Sequence, residues 1–166
     1  MNAFLWMMKL PPVYVLLAGL AGLLVGLWKK RWTPALLAAY VFYVFSLAVL
    51  SRSSRPEALV SLRLFWSYHD WPAGYAQIVA NVAVFVPIGL LAGLLVGWRG
   101  VLGGAGFSLL IELLQLLLHR GVFEFDDLIH NTLGALLGAA LAVLLRRLTR
   151  RGGRGSGEAR DAQKPL

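Results

Sequence analysis

The chain has 166 residues, of which 58% are hydrophobic and 14% charged, and its mean hydropathy is +0.69. Soluble domains carry roughly 25% charged residues, so this composition excludes an ordinary soluble domain and assigns most of the apolar surface to lipid. Cysteine is absent, which removes disulfides, thiolate metal sites and cysteine nucleophiles. The net charge of +8 is gathered between apolar runs and in the tail, where it reads as a topology signal rather than a nucleic-acid footprint.

Five apolar runs follow in chain order: Pro12 to Trp28, Thr33 to Leu50, Asn81 to Trp98, Val101 to Leu118 and Leu128 to Leu145. Each is near the lower end of the roughly 17–25 residues that cross a bilayer as a helix. Strands are excluded for these runs by their length and lack of alternation, and lipid admits only helices or closed barrels. The expected fold class is all-α, an integral membrane bundle of about five transmembrane helices. One helical domain is expected over residues 1–145.

The first run is followed by Lys29, Lys30 and Arg31 and preceded only by Lys9, a charge order opposite to that of a signal peptide. It places the N-terminus outside and the 29–31 turn in the cytoplasm. Carried through five crossings, this leaves eleven Lys and Arg inside and five outside, with the C-terminus inside. The segment 146–166 is basic and Gly-rich with few large apolar residues, so it is expected to be a disordered cytoplasmic tail whose arginines meet anionic headgroups.

Small residues recur four apart at Gly22 and Gly26, at Gly89, Gly93 and Gly97, at Gly100 and Gly104, and at Gly134 and Gly138. This spacing lines one helix face with small side chains and lets backbones approach closely, so it speaks of bundle closure rather than chemistry.

Polar residues in the last three runs carry the functional signal, because ionisable groups inside a membrane are costly. Glu112 lies six residues before Leu118, about 9 Å below that helix end at 1.5 Å per residue. Ser108, Glu112, Gln115 and His119 fall on one face of the fourth run. Asp127, Asn131, Gly134 and Gly138 make a comparable stripe on the fifth, and Asn81 and Phe85 open the third. The loop from His119 to Asp127 adds Arg120, Glu124 and Asp126 at the same end. Glu112 either hydrogen-bonds Asn131 or Asn81 and locks the bundle or meets a ligand, and Arg120 is expected to snorkel to the headgroups. His119 and His130 are expected at the interface, and Asp126 and Asp127 at the N-cap and first turn of the last helix.

These residues carry a family resemblance. Asn81-Val82-Ala83-Val84-Phe85-Val86-Pro87-Ile88-Gly89 resembles the NxxxFxPxG signature of VanZ-like proteins. Glu112-Leu113-Leu114-Gln115 is similar to their ExxQ, Phe123-Glu124-Phe125-Asp126-Asp127 to FDxDD, and Asn131 to Gly138 to NTxGxxxG, all in the family's order. Leu62 to Tyr68 is similar to a loop that reads LxPFxSY in many members, with Leu64 in place of proline. Glu124 stands where aspartate is usual.

The resemblance implies a bacterial cytoplasmic-membrane protein of a family associated with reduced susceptibility to teicoplanin. The reading adopted from it is a non-enzymatic envelope factor that binds a lipid-linked cell-wall precursor or surface glycan at an extracytoplasmic polar cluster. That cluster comprises Asn81, Glu112, Gln115, Arg120, Glu124, Asp126, Asp127 and Asn131, beside the aromatics Phe65, Trp66, Tyr68, Trp71, Phe123 and Phe125. Membrane lipids are the expected partners, no nucleic acid is expected, and no cofactor or metal is assigned. Two alternatives stand beside it: an intramembrane enzyme using the acids for metal binding or proton transfer on a lipid phosphate or glycan carrier, and a small transporter coupled through Glu112.

Overall fold

The computed structural model describes residues 32–161 other than positions 55, 58, 70 and 71. The first apolar run, Pro12 to Trp28, lies outside the described residues. The other four runs are helices long and apolar enough to cross a membrane. Helix α1 (Trp32–Phe45) continues as a π-helical turn over Ser46–Leu50, and α2 spans Ala73–Val96. Helix α3 spans Arg99–Leu117 and α4 spans Phe125–Asp161. In hydrocarbon every backbone N–H and C=O must find its partner within the protein, and the helix meets that demand within each segment.

Helix α2 starts eight residues before the Asn81 expected from hydropathy. Pro72 ends the preceding loop, and Ala73 to Ala80 contains no proline, with Gly74 held buried in the first turn. The less apolar first turns, with Gln77, were therefore hidden from an apolar-run criterion but fold with the rest. Helix α4 likewise starts at Phe125 rather than Leu128, with Asp126 and Asp127 in its first turn. The portion apolar enough to cross a membrane ends at Thr149. The helix continues to Asp161, past Arg146, where the unfolded tail was expected to begin.

Contact registers fix the directions. Asn81 meets Asp127, Gly89 meets Ala135, and Gly93 meets Ala139 and Ala142, so α2 and α4 run parallel. Gly104 lies against Ala135 and Gly100 against Gly93, so α3 runs antiparallel to both. The tight α2–α3 turn uses Gly97 at φ 64°, a left-handed conformation that glycine adopts without a Cβ penalty. The α2–α4 contact is the most extensive in the bundle. A Cβ on Gly134 would enter Val82 O, and one on Gly138 would enter Val86 O. Here the four-residue spacing lets two backbones touch. The far end is closed by the Arg146 guanidinium, which donates to Leu94 O near the C-terminus of α2.

Between helices, two short strands pair: β1 (Leu59–Ser61) lies parallel to β2 (Val122–Glu124), with Val60 opposite Phe123. The strand exclusion made from sequence applied to the apolar runs, and this pair lies in the loops that join them. A core of Val44, Val49, Phe85, Ile88 and Ile111 fills the space between α1, α2 and α3.

Candidate functional site

The N-terminal halves of α2 and α4, the C-terminal half of α3 and the end of α1 meet at one end of the bundle. They enclose a pocket of about 1080 Å³ lined by Asn81, Glu112, Gln115, Arg120, Asp127 and Asn131 among others. Its apolar wall comes from Val44 and Leu47 of α1, Val84 and Phe85 of α2, and Ile111 of α3. Tyr40 also lines it, with its hydroxyl donating to Val84 O at 3.2 Å.

The polar floor is a set of specific hydrogen bonds. Asp127 Oδ1 accepts from Asn81 Nδ2 at 2.6 Å and from Gln77 Nε2 at 3.0 Å. Gln77 Nε2 also donates to Glu124 Oε2 at 3.0 Å. The backbone N–H of Glu124 donates to Glu112 Oε2 at 2.9 Å, and Asn131 Nδ2 donates to Ser108 Oγ at 2.9 Å. The Glu112 side chain, only 1% exposed, therefore fastens the β2 loop, whereas the bundle-locking role left open for it had Asn131 or Asn81 as its partner. The reason is reach. The loop folds back over the end of α3, and its amide needs an acceptor where no helix ladder supplies one.

The end of α1 contributes backbone acceptors. Ser51 N–H bonds Ser46 O, five residues back, so the turn is wider than an α-turn. Ser46 and Ser51 hydroxyls also bond back to Phe42 O and Leu47 O. The last-turn carbonyls, left without helical donors, are taken by side chains. Gln115 Nε2 donates to Ala48 O at 2.9 Å, and Arg120 Nη1 donates to Leu50 O at 2.9 Å and Val49 O at 3.4 Å. Arg120 is thus a clamp on α1, not the snorkelling residue expected. A low-dielectric site makes two unpaired carbonyls more costly than one immobilised guanidinium.

Glu124 and Asp126 do not line the pocket. Glu124 reaches it through Gln77. Burial pushes the Glu124 carboxyl above its ordinary range, and the charge of Asp127 adds to this. The Gln77 hydrogen bond and the Arg52 charge act in the opposite direction. Asp126 is fully buried and accepts from the backbone N–H of Phe65 at 2.7 Å, tying the upstream loop to the first turn of α4. Phe65 has a φ of 59°, and the loop with Leu64 in place of proline turns there. His130 is buried rather than interfacial, with Nε2 3.2 Å from the Tyr68 hydroxyl. His119 leaves the polar face of α3 because the helix has ended. It has a φ of 54° and is exposed. Tyr68 packs edge-on against Phe65 and Tyr75.

Two functional candidates escaped the sequence analysis. Gln77 sits one turn before Asn81, outside the run that hydropathy marked. Arg52 was counted only as a loop charge, yet it lines the pocket and its charge acts on Asp127, Glu124 and Glu112. Gly121 makes room for it. A Cβ there would stand 3.1 Å from Arg52 Nη1 and 2.8 Å from Gln115 Oε1. The i, i+4 spacing of Gln77 and Asn81 was the available signal for the first, while only tertiary folding brings Arg52 to the site.

A bundle of apolar helices with buried polar side chains gathered at one end defines a multi-pass membrane protein. The family model described as VanZ/LLP1 matches residues 32–146, and the chain belongs to that family. Comparison with curated proteins found no match, and comparison with solved structures found none.

Proposed function

We propose that this VanZ/LLP1 protein is a bacterial cytoplasmic-membrane envelope factor that binds an amphiphile, a lipid-linked precursor or a surface-bound ligand, in the pocket between α1, α2 and α3. The observation that carries this reading is the pairing of a polar floor with an apolar wall in one pocket of about 1080 Å³, a volume suited to a small ligand. The head of an amphiphile matches the carboxyl and amide groups of the floor, and its chain matches the Val44, Leu47 and Val84 wall. In cells, such binding accounts for lowered teicoplanin susceptibility by altering a surface precursor's availability.

The pocket end is assigned to the extracytoplasmic face, with the N-terminus outside and the C-terminus inside, on the Lys and Arg asymmetry. Since the chain has no cysteine, a cysteine introduced at Glu57 is expected to react with an impermeant thiol reagent in intact cells, and one at Gly152 only after lysis. The reverse pattern rejects the orientation.

Binding is tested by lipid mass spectrometry of the gently purified chain and of Ala80→Trp, which adds bulk at a position that lines the pocket and holds no side-chain hydrogen bond. The expected result is a co-purifying amphiphile in the parent that Ala80→Trp loses. Equal retention in both rejects the pocket as the binding site, and chemical conversion of the bound species establishes an enzyme instead of a binder.

A further inference from the structure

The hydrogen-bond inventory of the floor is unbalanced. Gln77, Asn81, Gln115 and Asn131 each commit an amide N–H to a protein acceptor. Asp127 spends Oδ1 on two of these donors, and Glu112 spends Oε2 on the Glu124 amide. Among the described residues, no donor reaches Asp127 Oδ2 or Glu112 Oε1. Both side chains line the pocket and are at least nine-tenths buried, at 9% and 1% exposure. Neither oxygen is sealed inside the protein, since the one buried side-chain atom without a partner among the described residues is His130 Nδ1, so both stand open to a donor that enters the pocket.

Arg52 supplies the second half. Arg120 also lines the pocket, but its guanidinium is committed to Val49 O and Leu50 O. Arg52 lies exposed at the rim over Gly121, has no hydrogen bond among the described residues, and offers the planar fork that suits a phosphate. A cationic donor at depth and an anion at the rim describe one head group.

We infer that the pocket selects an amphiphile whose head joins a primary ammonium to a phosphate, with the ammonium between Glu112 Oε1 and Asp127 Oδ2 and the phosphate on Arg52. This rests on the reading that the pocket holds an amphiphile. An alkylammonium carries three N–H donors for the two free oxygens, whereas a quaternary ammonium carries none. A hard divalent cation is a poorer fit, because it requires six or more oxygens and two are free.

The test uses the full chain in detergent with phosphatidylethanolamine, phosphatidylcholine and phosphatidylglycerol of identical acyl chains at equal concentration, and reads retention by native mass spectrometry. Phosphatidylethanolamine is expected to be retained about tenfold over the other two, the ratio that corresponds to one charge-assisted hydrogen bond. Asp127→Asn keeps the Oδ1 acceptor for Asn81 and Gln77 and removes the charge, so it is expected to abolish that preference while circular dichroism stays unchanged. Arg52→Gln is expected to weaken phosphatidylethanolamine but not a phosphate-free alkylamine.

If Asp127→Asn does not fold, the head-group series on the parent chain decides alone. Equal retention of the three lipids that Ala80→Trp abolishes overturns the ammonium assignment and leaves the pocket reading standing. Retention indifferent to Ala80→Trp overturns both. Competition by soluble phosphoethanolamine assigns the head alone, as on a decorated surface glycan, and its failure to compete assigns the intact lipid. The head-group assignment holds in either case.

Discussion

Along the α2–α4 pair, the half from Gly89 to Ala142 and the half from Gln77 to Asn131 solve opposite problems. In the first, Gly89, Gly93, Gly134 and Gly138 bring two backbones into contact, so a Cβ would overlap the facing helix. In the second, Gln77, Asn81 and Asp127 meet through side-chain hydrogen bonds, and a pocket opens beside them toward α1 and α3. In lipid the hydrophobic effect does not drive helix against helix, so the first half is held by close packing and the second by polar satisfaction. The seam sets the spacing of the helices, and the floor gains its geometry from that spacing.

The largest effect is expected where the seam is broken. Gly138→Val drives a branched side chain into Val86 O and Leu90 N, which are backbone atoms that cannot rotate away. Overpacking of this kind costs about 3 kcal/mol or more. Loss of the folded, protease-resistant form in detergent is the expected outcome. Wild-type resistance would mean that α2 and α4 are not in backbone contact.

A smaller loss is expected at the floor. Asn81→Ala removes the shorter of the two amide donors to Asp127 and leaves Gln77 in place. Depriving a buried carboxyl of one donor costs about 1–3 kcal/mol, so the thermal midpoint should fall while the protein remains folded. An unchanged midpoint would show that Gln77 or water replaces the lost donor.

The same contrast explains what the sequence made legible. The seam was readable because glycine spacing and the helical period are both local, and Gly134 and Gly138 lie where that period puts them. Asn81, Glu112, Gln115, Asp127 and Asn131 share the pocket because their depths and faces followed from the same period. Their pairings were not readable. Glu112 bonds a loop amide and Arg120 bonds helix-end carbonyls, and both acceptor and donor exist only after loops fold back. Arg52, the β1–β2 pair and the Asp126 tie to Phe65 lie in or reach to segments without periodicity, so no local pattern announced them.

A control on the seam is expected to move stability the other way by a small amount. Gly103 and Gly106 are glycines within α3 whose added Cβ would meet nothing within 4 Å. Gly103→Ala should therefore be tolerated and should stabilise α3 by about 0.5–1 kcal/mol, the helix penalty of glycine. Destabilisation measured in the same unfolding assay would reveal a partner for that face.

The smallest effect is expected from titration of Glu124, which is only partly buried and therefore screened by solvent. Its carboxyl is raised above the ordinary 4.5, first by burial and then by the Asp127 charge, so the folded state holds its proton more tightly than the unfolded chain does. The stability tied to that proton is fully present below the ordinary value and is lost as pH rises through the raised one. Glu124→Gln keeps the size and an acceptor for Gln77 but has no proton to lose. The stability of the parent relative to Glu124→Gln should therefore fall as pH rises across that window and level off above it. Because the Arg52 charge opposes the shift, Arg52→Gln should move the window to higher pH. A window that stays put in Arg52→Gln would remove Arg52 from electrostatic reach of the floor, and with it the cationic rim on which the head-group assignment depends.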